Sequence, residues 1–340
     1  MENGIRDARK LGTPKMLLLG FQHMFAMFGA TVLVPALTGL SVSATLLFAG
    51  LGTLLFHFLT KGKVPAFLGS SFAFIGGYAA VHALIGDTAE LNWIPYAGVG
   101  VACAGLLYVL LAALFRSFGA HKVMRYFPPI VTGPIIICIG MTLANSAINN
   151  CAANWWIAIL AIAIVIVANI WGKGMIKIIP ILLGVVGSYL VAALCGLVDF
   201  TPVKEAAWIG LPFQFKDTAF SLSPKFAALV SCMPTATIGG VSLILYGMIS
   251  AVGVRNVVEN QVDFTKSRNV IIAALIMSLA LGISFSSAGA IAFTVGGITI
   301  SLSGLAVAAL AGILLNAVLP GNDYEFGVNQ QGDKSVNFKV

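Results

Sequence analysis

The stretch GKVPAFLGSSFAFIGGY, residues 62–78, decides how the chain has to be read. It sits in an apolar run, yet Pro65, Gly69, Gly76 and Gly77 are poor material for a continuous helix. Val64, Phe67, Phe72 and Phe74 suit an extended stretch better. Broken backbone at membrane depth is tolerated only inside protein or along a cavity. There its N–H and C=O groups can hydrogen-bond a polar ligand. A Gly/Ser-rich face could also serve close helix packing. Because Pro65 and the glycines interrupt the same run, the ligand reading is the stronger one. The segment SSAGAIAFTVGGITI, 286–300, has a similar broken character near the end of the chain.

The rest of the chain explains why membrane depth is the right frame. Of 340 residues, 59% are hydrophobic and 9% charged, against about 25% charged in an ordinary soluble domain. Such a chain cannot cover a globule with polar side chains, which excludes a soluble enzyme, a disordered tail and a nucleic-acid-binding module. Apolar runs fall near 16–39, 43–60, 64–85, 94–115, 127–147, 154–171, 175–197, 227–252, 270–285 and 299–319. That is about ten transmembrane segments, with Pro and Gly punctuating them as membrane helices allow.

Position, not the sum of +7, gives the meaning of the charge. With a cytoplasmic N-terminus, every Lys and Arg except Lys204, Lys216 and Lys225 lies on the cytoplasmic side. That bias predicts a multi-pass protein of the cell membrane with both termini cytoplasmic. Trp93, Trp155 and Trp156 fall at outer span edges and Trp171 at an inner edge, as an aromatic belt. The N-terminal MENGIRDARKLGTPK does not read as a cleavable signal peptide.

The polar residues inside the spans are few. All 12 Asp and Glu fall in connections or termini, whereas ion-coupled carriers usually keep an acid within the membrane. His57 and His82 lie near span ends and read as interfacial. His23, beside Gln22 in the first span, supports two readings equally: an interhelical hydrogen bond, or a polar group lining a substrate path. The five cysteines lack metal or disulfide spacing, no catalytic motif is present, and no cofactor or metal is expected. The Pro-containing starts Phe127-Pro128-Pro129 and Met233-Pro234 read as helix N-termini.

The stretches LGFQHMFAMFGATVLVP (19–35), KGKVPAFLGSSFAFIGG (61–77), YFPPIVTGPIIICIGMTLA (126–144) and GGVSLILYGMISAVGVR (239–255) resemble the uracil/xanthine permease family. These are nucleobase–cation symporters, and the likeness runs from about residue 12 to about 318. It implies an all-α fold of fourteen spans in two inverted seven-span repeats. Spans 1–4 and 8–11 form a core domain and spans 5–7 and 12–14 a gate domain. A short strand in each of spans 3 and 10 holds the nucleobase between them. After Ser223-Pro224-Lys225-Phe226 the chain departs from this pattern. It reads AALVSCMPTATIGGVSLILYG, which resembles the lead-in to span 12. Spans 8–11 are thus expected to be absent, with the join within 225–235. Those spans carry the family's two substrate- and proton-binding glutamates.

The resemblance therefore implies a partial version of the fold. Its parts are a cytoplasmic N-terminus (1–15), core spans 1–4 (16–115), gate spans 5–7 (116–197) and an extracytoplasmic loop (198–226). Gate spans equivalent to 12–14 (227–319) and a cytoplasmic tail (320–340) complete it. It carries over His23, Ala30, Phe72 and Tyr246 as substrate-binding positions. It implies a nucleobase substrate, uracil first, a proton as coupling ion, the lipid bilayer as surroundings, and no nucleic acid. Without spans 8–11 the alternative is a transport-incompetent membrane remnant or an oligomerisation partner of a full-length permease, with a homodimer as one form of that association.

Overall fold

The computed structural model describes residues 12–64, 66–86, 93–206, 228–230, 232–287, 289–295, 298–322 and 324. Each of the ten apolar runs coincides with a helix in whole or in part. Helix α1 (Thr13–Thr38) contains Pro35 and ends where Gly39 adopts φ 73°, the left-handed conformation that a glycine takes without strain. Helix α2 (Val42–Leu59) starts at Ser41, whose hydroxyl accepts the Ala44 N–H at 3.3 Å. Irregular backbone follows over 66–71, then a single 3-10 turn (Phe72–Phe74) leading into α3 (Ile75–Ile85).

Helix α4 (Ile94–Phe118) is separated from the short α5 (Ala120–Met124) by Gly119 at φ 79°. Next come α6 (Pro129–Ala152) and α7 (Trp155–Ile170), the latter capped by the Asn154 carbonyl oxygen. Trp155 and Trp156 open α7 and Trp171 closes it, all three exposed. Then follow α8 (Met175–Ile178), α9 (Pro180–Leu194) and α10 (Thr201–Glu205). Helix α11 (Thr235–Glu259) runs seven residues beyond the end expected for that span, and its last turn carries an exposed Arg255–Glu259 ion pair at 2.5 Å. Helix α12 (Ser267–Ser284) is joined to α13 (Gly304–Val318) by strands β1 (Ala290–Val295) and β2 (Ile298–Ser303).

Among the described residues, α2, α4, α6, α11 and α12 are long and apolar enough to cross a membrane, and α7, α9 and α13 are shorter apolar helices. The architecture is that of a multi-pass helical membrane protein. The one addition to an all-α description is the antiparallel β1–β2 hairpin. The extended segment expected in span 3 forms no strand, whereas the broken segment near the chain end does. A strand needs a partner for its backbone groups. Residues 290–303 supply their own through the turn, and 66–71 have no strand beside them among the described residues.

The chain divides into two compact units, Met1–Ile75 with Ser146–Ile244, and Gly76–Asn145 with Leu245–Val340. The first is centred on Cys151, Ile157, Ala158, Ala192 and Ala236. Small residues let backbones approach here. A Cβ on Gly239 would lie 2.5 Å from the Cys151 nitrogen, and one on Gly240 would lie 3.0 Å from the Ala158 Cα. The Ser188 and Thr237 hydroxyls meet at 3.3 Å between α9 and α11.

The second unit is centred on Ile130, Val131, Cys138, Ile272, Ile276 and Ala308. Gly253 sits where a Cβ would lie 2.6 Å from the Ile137 nitrogen and 2.7 Å from the Gly133 oxygen. Beside it the Ser250 hydroxyl donates to the Ile137 carbonyl at 2.9 Å, and the Asn256 amide to the Thr132 hydroxyl at 2.9 Å. Gly304 and Gly312 on α13 allow similar approach to Ala280 and Ile276. At the Lys/Arg-rich end, Arg268 donates to the Asn316 side chain at 2.6 Å and to its carbonyl at 2.8 Å. The Asn316 amide in turn donates to the Arg125 carbonyl at 3.0 Å.

Candidate functional site

In the first unit the irregular stretch 66–71 is held by Thr53 of α2 and passes close to Thr31 of α1. The Thr53 hydroxyl on α2 donates to the Ala49 carbonyl at 2.7 Å and accepts the Leu68 N–H at 3.0 Å, with the Leu68 oxygen 3.2 Å away. A side chain thus takes the place of the helical partner that Leu68 has lost, so the broken backbone is anchored. One residue on, a Cβ at Gly69 would lie 3.0 Å from the Thr31 hydroxyl of α1 and 3.0 Å from the Phe67 ring. Thr31 is buried. A side chain here would press on Thr31, in the C-terminal half of α1.

The stretch then presents polar groups. Ser70 is half-buried and Ser71 exposed, and the Ser71 carbonyl accepts the Phe74 N–H at 3.2 Å, closing the turn that carries Phe72. Phe72 itself is half-buried. No hydrogen bond to the backbone of Gly69 or Ser70 is formed among the described residues. Their N–H and C=O groups are the ones this geometry leaves available to a bound molecule.

The expected site residues are not gathered into one described place. His23 and Ala30 lie in α1, eight and one residues before Thr31, and their side chains fall outside the described set. Phe72 belongs to the first unit and Tyr246 to the second. Tyr246 is 1% exposed on α11, and its carbonyl stands where a Cβ on Gly140 of α6 would go. Four residues earlier on α11, the Ser242 hydroxyl is buried with no partner among the described residues. Of the two interfacial histidines, His82 stacks near Trp93 with ring centres 5.1 Å apart. Neither the polar cavity around Arg268 and Asn269 nor the two apolar grooves on the helix surfaces are lined by a predicted site residue.

Thr31, Thr53 and Ser242 were not singled out in the sequence. The available signal was no more than a hydroxyl inside an apolar helix. The join expected within 225–235 lies partly outside the described residues. Among the described residues no cluster of His, Cys, Asp or Glu could hold a metal. No carboxylate stands inside a long apolar helix, Glu259 being the last residue of α11.

Comparison with known proteins places this geometry in context. The sequence model of the Permease family of xanthine and uracil permeases matches residues 14–222 and 217–289. The uracil permease of Bacillus subtilis strain 168 is 30% identical over 429 residues, which cover 93% of this chain and 95% of that protein. The putative pyrimidine permease RutG of Escherichia coli K12 is 30% identical over 403 residues, 89% of each chain. The uracil permease of the same strain is 28% identical over 403 residues, 88% of this chain and 90% of that protein. An alignment over 429 residues is longer than the 340 of this chain, so it passes over positions of the relative that have no counterpart here. The two stretches matched by the family model meet at 217–222.

Proposed function

The chain belongs to the uracil/xanthine permease family, and from that premise we propose that it is a nucleobase permease of the proton-symporter type, directed to uracil, whose coupling half is missing. Its relatives are transporters, not enzymes. The observation that carries the reading is the similarity to proteins named uracil permease along nearly the whole chain. The geometry adds the anchored break at 66–71, with backbone groups at Gly69 and Ser70 that have no partner among the described residues. In this reading His23, Ala30, Phe72 and Tyr246 are the substrate-binding positions. The division into core spans 16–115 and gate spans 116–197 and 227–319, and the cytoplasmic placement of both termini, belong to the same proposal.

Three features support a missing segment equivalent to spans 8–11. The alignments outrun the chain, the two family matches overlap at 217–222, and among the described residues no carboxylate lies in a long apolar helix short of its last residue, Glu259 of α11. The stretch 66–71 has no strand partner among the described residues, and in the family that partner lies in span 10. Without it a buried base would lose about 1–3 kcal/mol for each polar group left unmatched. An acid to carry the proton is also lacking. The chain alone therefore does not accumulate uracil. Grafting the unmatched segment of the Bacillus subtilis relative into the join within 225–235 should restore uptake of labelled uracil in cells without a permease of their own. If the graft folds and binds uracil but a carboxylate-free version of it accumulates as well, the proposal is wrong about the acids.

A second reading, an oligomerisation partner of a full-length permease, rests on α4. None of the residues in its most apolar stretch is buried. Crosslinking in native membranes tests it: a strictly monomeric chain contradicts it, and a homodimer or a mixed complex supports it.

A further inference from the structure

The hairpin β1–β2 has a pattern that the permease reading does not use. The register pairs Ile291 with Leu302, Phe293 with Ile300 and Val295 with Ile298. The alternate positions pair Ala290 with Ser303, Ala292 with Ser301 and Thr294 with Thr299. Since successive strand positions point to opposite faces, one face of the hairpin is made of six large apolar positions. The other is made of alanines and hydroxyl residues. Ile291 and Phe293 are 45% and 43% exposed, so no described residue covers that face at those positions.

An isolated two-stranded hairpin with a bare apolar face is marginal in water. Exposed edge strands are usually protected by charged residues. Here there is no Asp, Glu, Lys, Arg or His anywhere from Asn269 to Asn322. The hairpin therefore carries none of the features of a water-projecting loop. The helices set its depth. Helix α13 has 15 residues, about 22 Å at about 1.5 Å per residue, against a hydrocarbon layer of about 30 Å. With the Lys/Arg end of α12 at one surface, the base of the hairpin starts below the opposite surface. Its strands pack on α12 and α13, whose Leu275, Met277, Phe285 and Leu310 are exposed in the same way. The free strand edges argue against full immersion, because unpaired backbone N–H and C=O groups do not face hydrocarbon.

These constraints meet at one location, and we propose that the hairpin 290–303 is a membrane-surface anchor. Its apolar face seats in the headgroup–acyl boundary of the leaflet opposite the Lys/Arg-rich end, while Ala292, Thr294 and the strand edges stay hydrated. The occupant of the face is lipid, not a second protein. This needs the chain to span a membrane and is independent of what it carries.

The test uses the full chain in lipid nanodiscs, with its own five cysteines replaced. An environment-sensitive fluorophore is placed in turn on Ile291→Cys, Phe293→Cys, Ala292→Cys and Thr294→Cys. Lipids with a quencher at the top of the acyl chain should quench positions 291 and 293 at least about two-fold more than 292 and 294. Emission at 291 and 293 should be blue-shifted. Equal quenching at all four positions overturns the proposal. So does blue-shifted but unquenched emission at 291 and 293, which would mean that a protein surface covers the face. A monodisperse size-exclusion peak for each labelled variant reports folding independently. Uracil uptake plays no part in the readout, so the result is separate from the permease reading.

Discussion

Helices α11 and α4 have the same length and similar apolarity, yet they are used in opposite ways. In α11 and its neighbour α6, 44% of the most apolar stretch is buried; in α4 none is. The difference does not lie in hydrophobic content. It lies in where the glycines fall. Gly239, Gly240 and Gly253 on α11 each meet the backbone or side chain of another helix, as do Gly133 and Gly140 on α6. Gly98, Gly100 and Gly105 on α4 meet nothing within 4 Å. In a bilayer, apolar surface alone does not drive helices together, because lipid tails are as apolar as leucine; close packing does. Helix α4 makes no such close approach among the described residues.

The sharpest way to break this contrast is to make one substitution in both places. Gly253→Leu puts a side chain into the Ile137 and Gly133 backbone and should abolish a monodisperse peak in size-exclusion chromatography. Overpacking against side chains typically costs about 1–3 kcal/mol, and backbone yields less. Gly105→Leu should leave the melting temperature within the range of ordinary surface changes, about 0.5 kcal/mol. If the grafted segment of the relative is added, Gly105→Leu should become damaging if α4 is a packing surface for it.

A smaller effect is expected at Asn316, which ties Arg268 and the Arg125 carbonyl together. Asn316→Ala leaves a guanidinium and a carbonyl short of partners and should cost about 1–3 kcal/mol, read as a lower melting temperature in detergent. Next is Thr53→Val, which removes the hydroxyl holding Leu68 at a cost of about 1 kcal/mol. Its signature is local: faster amide exchange over 66–71 with little change elsewhere, restored by Thr53→Ser.

The smallest effect is at Asp263, on the connection between α11 and α12. The Thr265 hydroxyl and backbone N–H hold its carboxyl below the usual carboxylate range. A depressed folded value means that this contribution is present above the unfolded value, about 3.9. It is lost as pH falls through the lower folded value. Asp263→Asn should therefore lower the melting temperature slightly at neutral pH and remove the small acid-side drop, so that the two proteins converge at low pH.

Much of this was legible in the sequence because membranes simplify the code. Apolar run length placed a helix at every one of the ten positions, and the tryptophans marked the ends of α7. The break in span 3 was legible because Pro65 and Gly69 cannot serve a continuous helix. What holds that break was not legible: Thr53, like Thr31 close by, looks like any hydroxyl residue in an apolar helix until its neighbours are placed. The hairpin was half legible. Its segment read as broken, but the alternation of Ile291, Phe293 and Val295 with small residues acquires meaning only once the register pairs it with Ile298, Ile300 and Leu302. Tyr246 shows the limit of carrying a residue over by likeness, since its burial against α6 depends on Gly140, far away in the sequence.

The account turns on whether this chain, a permease by family, works without an acid inside the membrane. Uptake of labelled uracil by the unmodified chain, in cells lacking other uracil permeases and with expression verified in the membrane, tests that directly. The account predicts no accumulation above the empty-vector level, with or without an uncoupler. Accumulation that an uncoupler abolishes would contradict it.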